Sequence, residues 1–144
     1  MTKLYFVFSL SIALLSVNMA FSQDGYKISG EVQYVGAKNI YVCLYNQETW
    51  PNYIKELPPV VPYTIITKSN QSGKANFAFS GVPKGDYVIV VFIDENDNGI
   101  RDRDTMGWPT EPSRIFKPSS TGHANWYDCK FLVDKDITGL SIQF

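Results

Sequence analysis

The sequence predicts an all-β protein, a seven-stranded antiparallel β-sandwich behind an N-terminal signal peptide. Three observations predict it. Apolar and polar residues alternate with a period of two in several stretches. Clusters of Gly, Pro, Asn and Ser separate the apolar runs. No stretch of residues 23–144 carries the 3.6-residue apolar period of a helix. Strands of this kind bury their faces by packing two sheets; a closed barrel is the alternative.

The leader comes first. Lys3 supplies a positive start, residues Leu4 to Val17 are apolar apart from scattered serines, and Ala20-Phe21-Ser22 places small residues where a signal peptidase cuts. Cleavage after Ser22 leaves residues 23–144 as one domain. The apolar run is short for a membrane span, which needs roughly 20 residues, and no second run is long enough. No cysteine lies near the cut to carry a lipid. The expected location is therefore periplasmic or extracellular. Without Lys3, the 13 Lys and Arg of the chain become 12, against 14 Asp and Glu. That balance argues against a nucleic-acid partner, which needs clustered basic charge.

Taken in order, Tyr26, Ile28, Val32 and Tyr34 alternate with polar residues as the first strand. Ile40 to Tyr45 is β-branched and aromatic, the second. A loop from Asn46 to Pro59 holds Trp50 and three prolines, which oppose both helix and central strand. Tyr63 to Thr67 is a short strand, and Ser69 to Gly73 a turn. Asn70-Gln71-Ser72 fits a glycosylation acceptor, but a turn explains it better. Ala75, Phe77 and Phe79 form one arm of a hairpin, Gly81 to Gly85 its turn, and Tyr87 to Ile93 the most apolar strand, expected at the centre of the core. A long loop from Asp94 to Asn125 follows, then strands at Trp126–Val133 and Thr138–Phe144. Cys43 shares a face with Tyr41 and Tyr45, opposite the apolar Ile40, Val42 and Leu44. Cys129 shares the more apolar face of its own strand. If those faces are the outside and the inside, the sulfurs cannot meet, so two free thiols are expected.

The long loop opens with oxygen-bearing side chains at alternate positions: Asp94, Asn96 and Asn98, then Gly99. The Ile100 carbonyl, Asp102 and Asp104 fall where further ligands would lie. This is the spacing of a D-x-[DN]-x-[DN]-G calcium loop, which wraps a hard cation in six to eight oxygens. The twelfth position is Thr105 rather than a bidentate Glu, so Asp104 or Glu111 has to substitute. Two of the first three ligands are neutral amides. A weak, extracellular-type site is expected, on the order of 10⁻⁴–10⁻³ M. The alternative is a metal-free loop whose Asp and Asn side chains bond their own backbone, with Gly99 at positive φ.

Further along, Trp108 stands beside carboxylates and amides, and Trp50 lies in the other long loop. Each offers a platform for a sugar ring, or else staples its loop onto the sandwich, which is the reading favoured here. His123 is the chain's one histidine and sits in a polar stretch, Ser120-Thr121-Gly122-His123. It has no nucleophile elbow beside it, and one His with two distant Cys does not make a zinc site. Nothing marks an enzyme.

The run Gly81-Val82-Pro83-Lys84-Gly85-Asp86-Tyr87, then Phe92-Ile93-Asp94-Glu95-Asn96-Asp97-Asn98-Gly99, then Gly107-Trp108-Pro109-Thr110-Glu111, resembles a family of secreted bacterial proteins catalogued as domain of unknown function 2141. Phe116 and the segment Trp126–Val133 match the phenylalanine and late strand of that pattern. The chain departs from it at Asp97, where the family usually has Gly, and at Pro112, where Gly is common. The resemblance implies a transthyretin-like or immunoglobulin-like sandwich and brings no activity with it. The D-x-N-x-N-G segment is also similar to the calcium loops of bacterial surface-adhesin B-type repeats.

Three functional classes follow. The first is a non-catalytic binding or structural module with a calcium-stiffened loop, its partner a glycan or a cell-surface protein. The second is a carbohydrate-binding module using Trp108 and Trp50. The third is a hydrolase acting through the loop carboxylates, which Asp102→Asn would disable.

Overall fold

The computed structural model describes residues 25–54 and 63–144. The leader expected at residues 1–22 lies outside the described residues. Eight strands and two single-turn helices are present among the described residues. In chain order they are β1 (Tyr26–Gln33), β2 (Asn39–Tyr45), α1 (Trp50–Ile54), β3 (Tyr63–Thr67), β4 (Lys74–Val82), β5 (Gly85–Asp94), β6 (Ser113–Ile115), α2 (Trp126–Cys129), β7 (Phe131–Val133) and β8 (Ile137–Gln143). The all-β sandwich holds, with eight strands rather than seven. The extra strand is β6, three residues inside the loop expected from Asp94 to Asn125.

One sheet has the order β4-β1-β8; the other has the order β3-β2-β5-β6, with β7 also paired to β5. The pairing is antiparallel except between β1 and β8, which run parallel. The fully antiparallel expectation is corrected on that point. At the β1–β8 seam the register shifts between Ile28 and Gly30. A Cβ at Gly30 would run into the carbonyl and side chain of Leu140, so the close approach of these strands needs glycine there.

The inner faces of both sheets meet in one core, built from Ile28 and Val32 of β1, Ile40, Val42 and Leu44 of β2, Phe77 and Phe79 of β4, and Ile89, Val91 and Ile93 of β5. β5 is buried at every position from Tyr87 to Asp94, so it has no solvent face. The reason is a second apolar layer on the outer side of its sheet. Cys43 and Tyr45 of β2 and Val88, Val90 and Phe92 of β5 are covered there by Trp50 of α1 and by Trp126 and Cys129 of α2. Both faces of the β2–β5 pair are therefore covered, which is why β5 reads as a continuous apolar run rather than an alternation.

Three expectations are corrected by this layer. The segment Trp126–Val133 is not one strand: its first four residues make a helical turn and only Phe131–Val133 pairs with β5. Asn125 caps that turn, its side chain accepting from the Asp128 N–H at 3.0 Å. The loop after Asn46 holds a helical turn in spite of Pro51, because proline is tolerated in the first turn, where its missing N–H has no partner to lose. The face of Cys43 is not the outside: Cys43 is fully buried, in the same cluster as Cys129.

Both thiols are free, as expected, but not for the reason of opposed faces. Burial pushes the Cys43 thiol up to about 12, against only partial relief from the Thr64 hydrogen bond and the Arg101 charge. At pH 8, alkylation by iodoacetamide is expected to leave Cys43 unmodified in the folded protein and to label it fully in denaturant. Rapid labelling in native buffer would show that the second layer is open.

A further expectation concerns acid. The Asp128 carboxyl is held below its ordinary value by hydrogen bonds from the Asn125 amide and the Ser119 hydroxyl. A depressed carboxyl stabilises the fold above its unfolded value, near pH 4, and that contribution is lost as pH falls through the lower folded value. The gap in melting temperature between wild type and Asp128→Ala is therefore expected to narrow as pH drops from 7 towards 2. A gap independent of pH would remove the ionised carboxylate from the cap.

Candidate functional site

The end of β5 projects into residues 94–112, which fold as a wrap, a small hairpin and a return. In the wrap, Asp94 is 1% exposed. Its Oδ1 accepts from the Asn98 N–H at 3.0 Å and its Oδ2 from the Gly99 N–H at 2.8 Å. Asn96 Oδ1 also accepts from the Asn98 N–H, at 3.1 Å, and Asn98 Oδ1 accepts from the Ile100 N–H at 2.7 Å. Each alternate side chain thus holds the backbone a few residues on, which is why Asp and Asn occupy these positions. Gly99 takes φ +75°, the turn that glycine permits at least cost, and Asp97 takes φ 59°. Asp97 is the position where the resembled pattern usually has glycine, and the left-handed backbone there gives that preference its physical cause. Asp97 is also tied to Lys38 by an exposed ion pair at 3.0 Å.

The Asp102 carboxylate closes the wrap. Its Oδ2 accepts from the side-chain amides of Asn96 at 2.6 Å and Asn98 at 3.0 Å. The structure therefore brings Asp94, Asn96, Asn98 and Asp102 into one hydrogen-bonded group, with Ile100 on the same wrap. Asp104 is elsewhere. It caps the hairpin turn, its Oδ1 accepting from the Met106 and Trp108 N–H groups at 2.9 Å each. That hairpin is pinned by the Asp104 N–H to the Trp108 carbonyl and the Thr110 N–H to the Asp102 carbonyl, both at 2.9 Å.

Glu111 supplies the return. It is 6% exposed. Its Oε1 accepts from the Glu95 N–H at 2.8 Å and its Oε2 from the Asp102 N–H at 3.2 Å, so one carboxylate straps both ends of the wrap. Of the two substitutes considered for the twelfth position, Glu111 lies against the wrap and Asp104 does not. Among the described residues, no three His, Cys, Asp or Glu side chains gather into a metal-holding group. A cation here would have to rely on mixed donors: the Asp94 and Asp102 carboxylates, the Asn96 and Asn98 amide oxygens, and the Ile100 carbonyl. Carboxylate and carbonyl oxygens keep a second lone pair when one N–H is bonded, so the donor set fits a hard, oxygen-seeking ion.

Behind the wrap the loop is anchored by arginine. Arg101 lies over the Tyr53 ring with its guanidinium carbon 3.8 Å from the centroid, and donates to the Tyr53 carbonyl at 3.0 Å. Arg103 donates to the same carbonyl at 3.1 Å and to the Gly107 carbonyl at 2.6 Å. Tyr53 in turn stacks on Trp50, ring centroids 4.6 Å apart. Sequence reasoning missed this chain of contacts; the Trp50–Tyr53 spacing of one helical turn is the signal that would have suggested it.

Trp50 is 6% exposed and so presents no face to a sugar; it staples α1 to the sheet, and its reading as a ligand platform is withdrawn. Trp108 is 52% exposed and its ring lies 5.4 Å from that of His123, which is exposed on its loop.

No curated protein matches the chain. A family model described as "uncharacterized protein conserved in bacteria" matches residues 34–140, which run from before β2 into β8 and include the whole 94–112 segment. The chain belongs to this uncharacterised bacterial family, the domain of unknown function 2141.

Proposed function

We propose that the protein is an exported, non-catalytic β-sandwich module that works by binding, and that calcium stiffens its 94–102 wrap. The observation that carries the reading is the wrap itself. Asp94 is buried at the end of the central strand, with both its oxygens gathering backbone N–H groups and Gly99 turned at positive φ. Oxygen-bearing side chains at alternate positions ahead of a glycine turn are the spacing of a calcium loop. Asp94, Asn96, Asn98, the Ile100 carbonyl and Asp102 would hold the ion, which would supply charge compensation and rigidity rather than catalysis. The apolar first segment supports export. Among the described residues, no helix is long and apolar enough to cross a membrane.

The experiment is a thermal melt in EDTA and in millimolar calcium, for wild type and Asp94→Ala. At ten times its Kd, calcium adds about 1.4 kcal/mol, which is a rise of a few degrees for a domain of this size. The rise is expected in wild type and not in Asp94→Ala. Equal melts in EDTA and calcium would leave a self-bonded, metal-free loop.

A further inference from the structure

The chain contains one Asn-Gly pair, Asn98-Gly99, and it lies in the wrap. Asn98 is exposed. In an open chain such a pair is chemically unstable, because glycine has no side chain to bar its own nitrogen from the neighbouring amide. The Gly99 backbone nitrogen gives up its proton and bonds to Cγ of Asn98. The Cγ–Nδ2 bond breaks, and the nitrogen leaves as ammonia with that proton. The succinimide ring left behind takes up water at one of its two carbonyls. The product is an aspartyl or isoaspartyl residue at position 98.

Three contacts of the closed wrap act on this reaction. The Gly99 N–H is held by Asp94 Oδ2 at 2.8 Å, and Asp94 is 1% exposed. Taking the proton away there sets an amide anion against a buried carboxylate, where like charges are least screened. The leaving nitrogen, Asn98 Nδ2, donates to Asp102 Oδ2 at 3.0 Å. Asn98 Oδ1 accepts from the Ile100 N–H at 2.7 Å. That last bond by itself draws electrons towards the oxygen and assists attack. It is outweighed, because the nucleophile does not form while its proton lies on Asp94.

We propose that Asn98 is a deamidation site guarded by the closed wrap, and that the acid formed there loosens the wrap by setting a second carboxylate against Asp102. An ionised carboxylate has no proton to offer, so the 3.0 Å contact with Asp102 becomes one between like charges. Asp102 keeps the Asn96 amide, at 2.6 Å, and loses the other. A further step rests on the calcium reading above. In a wrap that holds calcium, the new carboxylate replaces a neutral amide ligand, and ligand charge strengthens such sites. Closure then passes from hydrogen bonds to the ion.

The purified protein is incubated in EDTA at neutral pH, and peptide mass mapping follows the conversion of amide to acid at position 98. Conversion in native buffer is expected to be at least roughly tenfold slower than in denaturant, since it waits on opening of the wrap. Asp94→Asn removes the opposing charge and is expected to convert at least roughly tenfold faster than wild type in native buffer. Asn98→Asp, at an exposed position, is expected to melt about 2–5 °C below wild type in EDTA. Its rise with millimolar calcium is expected to exceed that of wild type. Equal conversion in native buffer and in denaturant, or no effect of Asp94→Asn, would overturn the guard. No acid at position 98 in denaturant would overturn the site, and an Asn98→Asp melt equal to wild type in EDTA would overturn the loosening. All of these are read without calcium, so a calcium rise absent from both proteins would sink the metal reading by itself.

Discussion

Alanine at Trp126 is expected to destabilise the protein by about 3–5 kcal/mol, the range for removing a large aromatic from a packed interior. For a domain of this size that corresponds to a fall in melting temperature of roughly 10–20 °C. Trp126 is 8% exposed, with its ring centroid 6.0 Å from that of Trp50, and the two cover Cys43, Val88, Val90 and Phe92. Removing the indole opens a cavity over the most apolar strand of the fold. The comparison that gives the experiment its force is Trp108→Ala. It deletes the same side chain from a half-exposed position and is expected to stay within about 0.5 kcal/mol of wild type. A loss from Trp126→Ala as small as that expected from Trp108→Ala would mean that the outer layer contributes nothing to stability.

That layer also marks where the sequence stopped being legible. The inner faces were readable because Ile28 and Val32, or Phe77 and Phe79, alternate with polar residues. β5 was readable as central because nothing charged interrupts the run from Tyr87 to Ile93. The outer face of β2 was not. Tyr41, Cys43 and Tyr45 are residues that serve equally at a surface and under a lid, so their burial depends on α1 and α2. Both helices are single turns, too short to show a 3.6-residue period. Trp126, Phe131 and Val133 look like a strand by composition, and it takes the Asn125 cap to start a helical turn instead. The parallel pairing of β1 with β8 joins opposite ends of the domain, and local pattern says nothing about which edge a returning chain takes. In the loop the balance is reversed. The Asp94–Asn96–Asn98–Gly99 spacing predicted the wrap, because each side chain acts on backbone within a few residues of itself. Glu111 acts over 16 residues on Glu95, beyond the reach of spacing rules.

Glu111 is where strap and ligand are separated. Its carboxylate is 6% exposed and holds the N–H groups of Glu95 and Asp102, at 2.8 and 3.2 Å. Glu111→Ala leaves two part-buried backbone donors without their acceptor and is expected to cost about 2–6 kcal/mol, at about 1–3 kcal/mol for each. Glu111→Gln keeps one acceptor oxygen and replaces the other with an amide that meets a donor, so roughly half of the loss is expected to remain. Urea midpoints at unchanged slope would read these losses as stability alone. Glu111 lies outside the alternate-position spacing of residues 94–102 and ties the two ends of the wrap together, so it is expected to shape the wrap rather than ligate an ion. The calcium-dependent rise in melting temperature should then survive in Glu111→Gln and vanish in Asp94→Ala. If Glu111→Gln abolishes the rise while its EDTA melt stays close to wild type, Glu111 is the acidic ligand that the Thr105 position lacks, reached from the far end of the loop. If Glu111→Ala costs nothing, the return strand is held by the Ile93 N–H to Pro112 carbonyl bond at 2.9 Å. The burial of Glu111 would then be a consequence of the fold and not one of its causes.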